Sequence, residues 1–140
     1  MIRMLNHTAD VGFEIEAPTL EALFGEARRA LLMTMFERPP ERGEEERSIR
    51  LSATDLEFLL VRWVNELVYH IQSAGFVPVH TEIRIREEER GGFFLEGLLA
   101  GAALDLEDYG WQGEIKSATF HGLVVAPEGE GWRARMILDV

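Results

Sequence analysis

With 140 residues and 46% apolar side chains, the sequence has material for one hydrophobic core and too little for two comfortable domains, so it reads as a single domain over 1–140. The absence of cysteine excludes disulfides, thiolate catalysis, iron–sulfur clusters and Cys-based zinc sites; no apolar run approaches the ~18 residues of a membrane span, and Met1 to His7 lacks a signal-peptide core, so a cytoplasmic protein with no membrane contact is expected. Twenty-five acidic against fourteen basic residues give a net charge of −11, which repels phosphate backbones: no direct nucleic-acid binding is expected, and any RNA should be held by a partner.

Along the chain, Ile2 to Leu5 suggests a short strand. Val11, Phe13, Ile15 and Ala17 then alternate with polar residues at the period of a half-buried strand. After Pro18, the spacing of Leu20, Leu23, Phe24, Ala27, Leu31 and Met35 predicts a helix from about Thr19 to Phe36. Arg38 to Glu46, with two prolines, a glycine and dense charge, reads as a solvated loop, and Ile49 to Ala53 as a short strand. Thr54-Asp55-Leu56-Glu57 has the spacing of a capping box and opens a second helix, whose broad apolar face runs from Leu56 through Trp63 to Ile71 before Gly75 supplies a left-handed stop. The remainder is β-rich: Phe76–Val79, Thr81–Glu87, Phe93 to about Leu104, Glu114–Ala126 and Trp132–Val140, with an acidic loop from Asp105 to Gly113 and a hairpin joining the last two strands. Gly97 and Gly101 suggest a bulge or a close backbone approach. The architecture expected is α+β: two amphipathic helices packed on one mostly antiparallel or mixed sheet.

Two polar segments stand out. His7-Thr8-Ala9-Asp10 lies between strand patterns, where Thr and Asp commonly serve only the turn. Leu138-Asp139-Val140 ends another strand and presents a side-chain and a terminal carboxylate, for which a frayed terminus is the plain alternative. If these strands are neighbours, three carboxylates converge and repel unless a cation neutralises them; a hard divalent ion of the calcium type, held by Asp10, Asp139 and the carboxylate of Val140, is the expectation. In Ile115-Lys116-Ser117-Ala118-Thr119-Phe120-His121-Gly122, Lys116 is the only lysine among fourteen basic residues; a compact ammonium there suits a carboxylate cluster or a partner's phosphate, although a solvated edge would carry it as well. His7, His70, His80 and His121 have no zinc-site spacing, and there is no phosphate loop or nucleophile elbow, so no enzymatic activity is expected.

These segments, with Leu60-Val61-Arg62-Trp63-Val64-Asn65-Glu66-Leu67 and the closing Arg133-Ala134-Arg135-Met136-Ile137-Leu138-Asp139-Val140, give the whole chain a pattern that resembles the archease family. The resemblance implies a non-catalytic activator of the GTP-dependent RNA ligase that joins tRNA halves, promoting guanylylation of that ligase and its repeated turnover. It implies a divalent cation, usually calcium, at the positions of Asp10, Asp139 and Val140, and a role toward the ligase for Lys116 and His7. Two positions depart from the family pattern. Asn6 stands where Asp is common, removing a charge near the ion, and Tyr109 stands where a histidine often aligns, so that position is left out of the site. Readings from other classes are a general chaperone or modulator of RNA-modifying enzymes, which would depend little on Asp10 or Asp139, and a small metal-dependent enzyme, which would turn over without a partner.

Overall fold

A computed structural model describes residues 1–6 and 10–140; the expectations that fall on His7, Thr8 and Ala9 lie outside the described residues. In chain order the elements are β1 (Ile2–Asn6), β2 (Asp10–Ala17), α1 (Leu20–Met35), β3 (Glu45–Ala53), α2 (Leu56–Gln72), β4 (Phe76–Glu87), β5 (Phe93–Ala103), the single-turn α3 (Leu106–Tyr109), β6 (Ser117–Glu128) and β7 (Gly131–Asp139).

Both long helices begin at capping side chains. Thr19 Oγ1 accepts the Ala22 N–H at 3.1 Å, and Asp55 Oδ1 accepts the Phe58 N–H at 2.7 Å. The α2 cap is therefore Asp55 rather than the Thr54 of the expected capping box, because an ionised Asp at the cap also meets the positive end of the helix. Just past α2, Gly75 takes the left-handed conformation at φ 66°, as its sequence position suggested. Val61, Val64, Val68 and Ile71 are weak helix formers by a few tenths of a kcal/mol each. All four are buried, which contributes about 1.5–3 kcal/mol per side chain, so packing decides the matter.

The α+β class and the antiparallel pairing are as expected, but the strands divide between two sheets, one in the order β1-β2-β7-β6 and one in the order β3-β5-β4. The helices lie between them: α1 contacts β2, β7 and β4, while α2 contacts β6 of the first sheet and β3, β4 and β5 of the second. The reason is in α2, whose buried residues Leu59, Leu60, Val61, Trp63, Val64, Leu67, Val68 and Ile71 spread over more of the circumference than one sheet can cover. Trp63 is fully buried, and its indole N–H donates to the Phe24 carbonyl on α1 at 2.9 Å, which ties the two helices together.

Several boundaries shift for local reasons. β3 begins at Glu45, inside the expected loop: as an edge strand it leaves Glu45 and Glu46 exposed, while Arg47, in phase with Ile49 and Leu51, lays its guanidinium over the Phe76 ring at 4.6 Å. The two strands expected on either side of His80 are one strand with a bulge between Pro78 and His80, where proline cannot donate to the ladder. The acidic loop contains α3, with Asp105 Oδ1 accepting the Asp108 N–H at 2.9 Å. Gly97 and Gly101 are close approaches: a Cβ on Gly97 would collide with the Glu82 carbonyl, and one on Gly101 with the Val77 carbonyl.

On α2, His70 sits between the rings of Tyr69 and Phe76, each 5.9 Å away, with its side chain 12% exposed and Nδ1 buried without a partner among the described residues. Burial pushes its imidazole below the ordinary value of 6.5; Glu66, 3.7 Å from Nε2, pulls it upward, and the charge of Arg47 depresses it further. Because the folded pKa is lowered, the unfolded chain takes up the proton first. Stability is then unaffected by this group above 6.5 and falls as pH drops from 6.5 through the folded value. In urea denaturation at about pH 7.5 and about pH 5.5, H70Q should lose less stability than the parent chain across that interval; an equal loss would mean that His70 does not carry the dependence.

Candidate functional site

The site is built at one end of the four-stranded sheet. β2 starts at Asp10 and β7 ends at Asp139, and the antiparallel register puts these two residues directly opposite each other. β6 starts at Ser117, opposite Asp139 on its other side, so Asp10, Asp139 and Ser117 form one row across three strands. Strand alternation puts this row on the face turned away from the helices, because Phe13, Ile15, Met136 and Leu138, on the other face, are buried in the core.

The charge pattern on that outer face changes along the sheet. Glu16 faces Arg133 in register and Glu14 faces Arg135, and Glu14 also pairs with Arg3 of β1, so each of these carboxylates has an arginine opposite it on a neighbouring strand. Gly12 and Ile137 fill the next row. Ile137 is 1% exposed although it points outward, because the irregular part of β6 passes over it: a Cβ on Gly122 would lie 3.8 Å from its Cδ1. In the last row the pattern reverses and carboxylate faces carboxylate. Cross-strand neighbours on one face have Cβ atoms about 4.5–5.5 Å apart, a distance at which like charges repel.

Asp10 and Asp139 are only partly buried, and Val140, the next residue, is 42% exposed. The Lys116 backbone N–H donates to the Asp139 carbonyl at 2.8 Å, which brings the lysine to the same end of the sheet. Its side chain is exposed, and no ion pair within 4.0 Å joins its ammonium to a described carboxylate. Among the described residues no group of three or more His, Cys, Asp or Glu side chains is gathered tightly enough to hold a metal ion. The row offers two carboxylates and a hydroxyl, to which the carboxylate of Val140 is adjacent in sequence. This all-oxygen donor set without thiol or described imidazole suits a hard divalent cation of the calcium type. Asp10, Asp139, Lys116 and Val140 are thus brought to one end of the sheet, and His7 lies outside the described residues.

Two residues without an expected role fix this end in place. Gln72 in the last turn of α2 makes a two-way bond with Ile115: its Nε2 donates to the Ile115 carbonyl at 2.9 Å, and its Oε1 accepts the Ile115 N–H at 2.8 Å. Two helical turns earlier, Asn65 Oδ1 accepts the Ala118 N–H at 2.8 Å. Together they hold the segment that carries Lys116 and Ser117 from both sides. The available signal was their seven-residue spacing, which puts two amides on one side of an apolar helix. Tyr109 is engaged elsewhere, packed edge-to-face on Phe36 at 5.8 Å with its hydroxyl donating to the Ala103 carbonyl at 2.9 Å.

A profile of the archease protein family matches residues 3–140. The archease of Methanosarcina mazei is 31% identical over 136 residues, covering 97% of this chain and 93% of its own length. That of Pyrobaculum neutrophilum is 30% identical over 135 residues, covering 96% and 91%. The solution structure of Methanobacterium thermoautotrophicum protein 1598 superposes with a TM-score of 0.79 at 26% identity, covering 99% of this chain and 98% of that one. The crystal structure of a Thermotoga maritima archease, a possible chaperone, superposes with a TM-score of 0.61 at 24% identity over 97% and 94%, a likeness of fold.

If Gln72 fixes this end of the sheet, Q72A should orphan the Ile115 N–H and C=O and lower stability by about 1–3 kcal/mol. Hydrogen exchange reads it directly: the Ile115 amide should exchange faster in Q72A while the Ala118 amide keeps its protection, and N65A should show the reverse.

Proposed function

The chain belongs to the archease family, and on that premise we propose that it is a non-catalytic protein cofactor of the GTP-dependent tRNA-splicing RNA ligase, promoting guanylylation of the ligase and its multiple turnover. The observation that supports this reading is the facing Asp10·Asp139 row at the end of a sheet face on which Glu14 lies between two arginines and Glu16 lies opposite one. A charge arrangement that costs free energy in the isolated chain suits a place where a cation and a partner complete the electrostatics.

On this reading Asp10, Asp139 and the carboxylate of Val140 hold a divalent cation, calcium by the character of the donors, with the Ser117 hydroxyl on the same face. Bound there, the cation supplies the positive charge that lets two strand ends carry facing carboxylates. Lys116 holds an exposed ammonium beside the row, available to a phosphate or carboxylate of the ligase, and His7 is assigned to the same contact. The Gln72 and Asn65 bonds keep that lysine from wandering with the chain end. An activator acts by binding one conformation of its partner better than another, so a rigid, charged tip serves this role without any reacting group. The RNA is held by the ligase, in keeping with the net charge of −11 on this chain.

The description of the Thermotoga maritima relative as a possible chaperone supports a second reading, a general chaperone or a modulator of RNA-modifying enzymes. The two readings separate in one experiment: guanylylation of the purified cognate ligase by GTP, with and without this protein, for the parent chain and for D10A, D139A and K116A. The ligase reading expects stimulation by the parent chain that falls about tenfold or more in each variant while the variants stay folded. No stimulation by the parent chain would sink the ligase role. Stimulation that survives all three substitutions would keep the partner and discard the site.

A further inference from the structure

Arg28, near the middle of α1, is a half-buried cation with no counter-charge within 4.0 Å among the described residues. Its guanidinium makes one bond there, from Nη1 to the Pro78 carbonyl at 3.3 Å, while Nε is itself buried with no partner among the described residues. Burial and the adjacent charge of Arg29 hold its guanidinium below the ordinary range, and Glu26 offsets this only in part. Charges withdrawn from water are ordinarily paired, because an uncompensated one loses hydration that nothing replaces. Holding a guanidinium this way is physically reasonable if an anion arrives to complete it.

The surroundings of Arg28 fit such an anion. It lines a cleft of about 590 Å³ between α1, the segment 37–41 and the start of β4, a volume within the range of small-ligand sites. Arg29 and Arg38 line the same cleft. Each has one carboxylate partner, Glu26 at 2.6 Å and Glu37 at 3.3 Å, which leaves further N–H groups on each guanidinium free for a ligand. Glu37 and Glu41 also line the cleft and oppose an anion, but Glu37 is paired with Arg38 and neither lies within 4.0 Å of Arg28. Leu32, Val79 and Pro39 make part of the wall apolar, and a guanidinium–oxyanion pair beside such a wall is stronger than in open water.

We propose that this cleft binds a phosphate group of the phosphomonoester class, carried by a small molecule or by a nucleic-acid terminus. A phosphomonoester offers three terminal oxygens, where a carboxylate offers two, and so can engage more than one of the guanidiniums that line the cleft, each planar fork matching it in paired hydrogen bonds. One phosphate seated in a cleft differs from a polyanion laid along a surface, so an acidic chain remains compatible with it. The site shares no residue with the Asp10·Asp139 row, and it stands or falls independently of the ligase reading.

The test uses the full chain and three probes: inorganic phosphate, adenosine monophosphate and a short 5′-phosphorylated oligonucleotide, titrated by calorimetry and by thermal unfolding, with sodium chloride at matched ionic strength as the control. At least one probe should bind saturably and raise the Tm. R28M should weaken that binding roughly ten- to hundredfold, the loss of a hydrogen bond to a charged group. R28K, which keeps the charge and loses the fork, should weaken it less. Without ligand, R28M should be at least as stable as the parent chain, since it removes an unpaired, half-buried charge. Which probe binds identifies the source of the phosphate. No saturable binding by any probe, or binding unchanged in R28M and R28K, would overturn the proposal.

Discussion

The constraint on which this structure depends is the burial of α2. Its apolar residues occupy positions 59, 60, 61, 63, 64, 67, 68 and 71, a stripe too broad for a single flat partner. An apolar surface left open on either side would forfeit about 25 cal/mol for every Å² exposed. Two sheets, one on each side, remove that exposure, and α1 fills the space beside α2 with Phe24, Ala27, Leu31 and Met35. The Trp63 to Phe24 bond satisfies the indole N–H that this arrangement forces into the interior. The layering follows from the composition of one helix.

Sheets enclosed in this way still have edges, and the helices cover them with polar side chains. Arg62 of α2 donates to the Ser52 carbonyl on β3 at 2.9 Å. Glu21 of α1 accepts the Ile85 N–H on β4 at 3.1 Å, and Arg28 reaches the Pro78 carbonyl on the same strand. Asn65 and Gln72 do the same for β6 and the residues just before it. Unpaired edge groups invite association with another chain, so these bonds serve both stability and solubility. Their consequence for function is direct, because the helix that organises the core also fixes the segment bearing Lys116 and Ser117. Core packing and site geometry are therefore coupled through α2.

The elements were largely legible in the sequence because their periodicities are strong. The α1 caps fall at Thr19 and Phe36 as the apolar spacing suggested, and the expected β6–β7 hairpin and left-handed Gly75 are present. What single-sequence patterns do not carry is which strand lies beside which, and the division into two sheets is a fact of that kind. The width of the α2 stripe held the hint, since a helix apolar on one narrow face needs one sheet and this one is broader. The facing of Asp10 and Asp139 depended on the same unknown: electrostatics grouped them only on the condition that their strands are neighbours, and the β2·β7 register meets it. The partners of Asn65, Gln72 and Arg28 were not legible for a different reason. Each makes a contact distant in sequence, and a polar residue in an amphipathic pattern does not announce whether it faces water or a backbone edge.

The sheet face itself explains why the exceptional row lies where it does. Within the ladder, a carboxylate has a residue opposite it on each neighbouring strand; at Glu14 both positions hold arginines, Arg3 and Arg135, and at Glu16 the β7 position holds Arg133. At the sheet's end the ladder stops, solvent has access, and a facing pair of acids is screened enough to be tolerated. Deeper in the sheet the same pair would be enclosed by neighbours on both sides and its repulsion less screened. A charge mismatch of this kind is therefore cheapest at a sheet terminus. There the start of β2, the end of β7 and the start of β6 meet, anchored by α2 from behind, so the position that tolerates the mismatch is also held firmly in place.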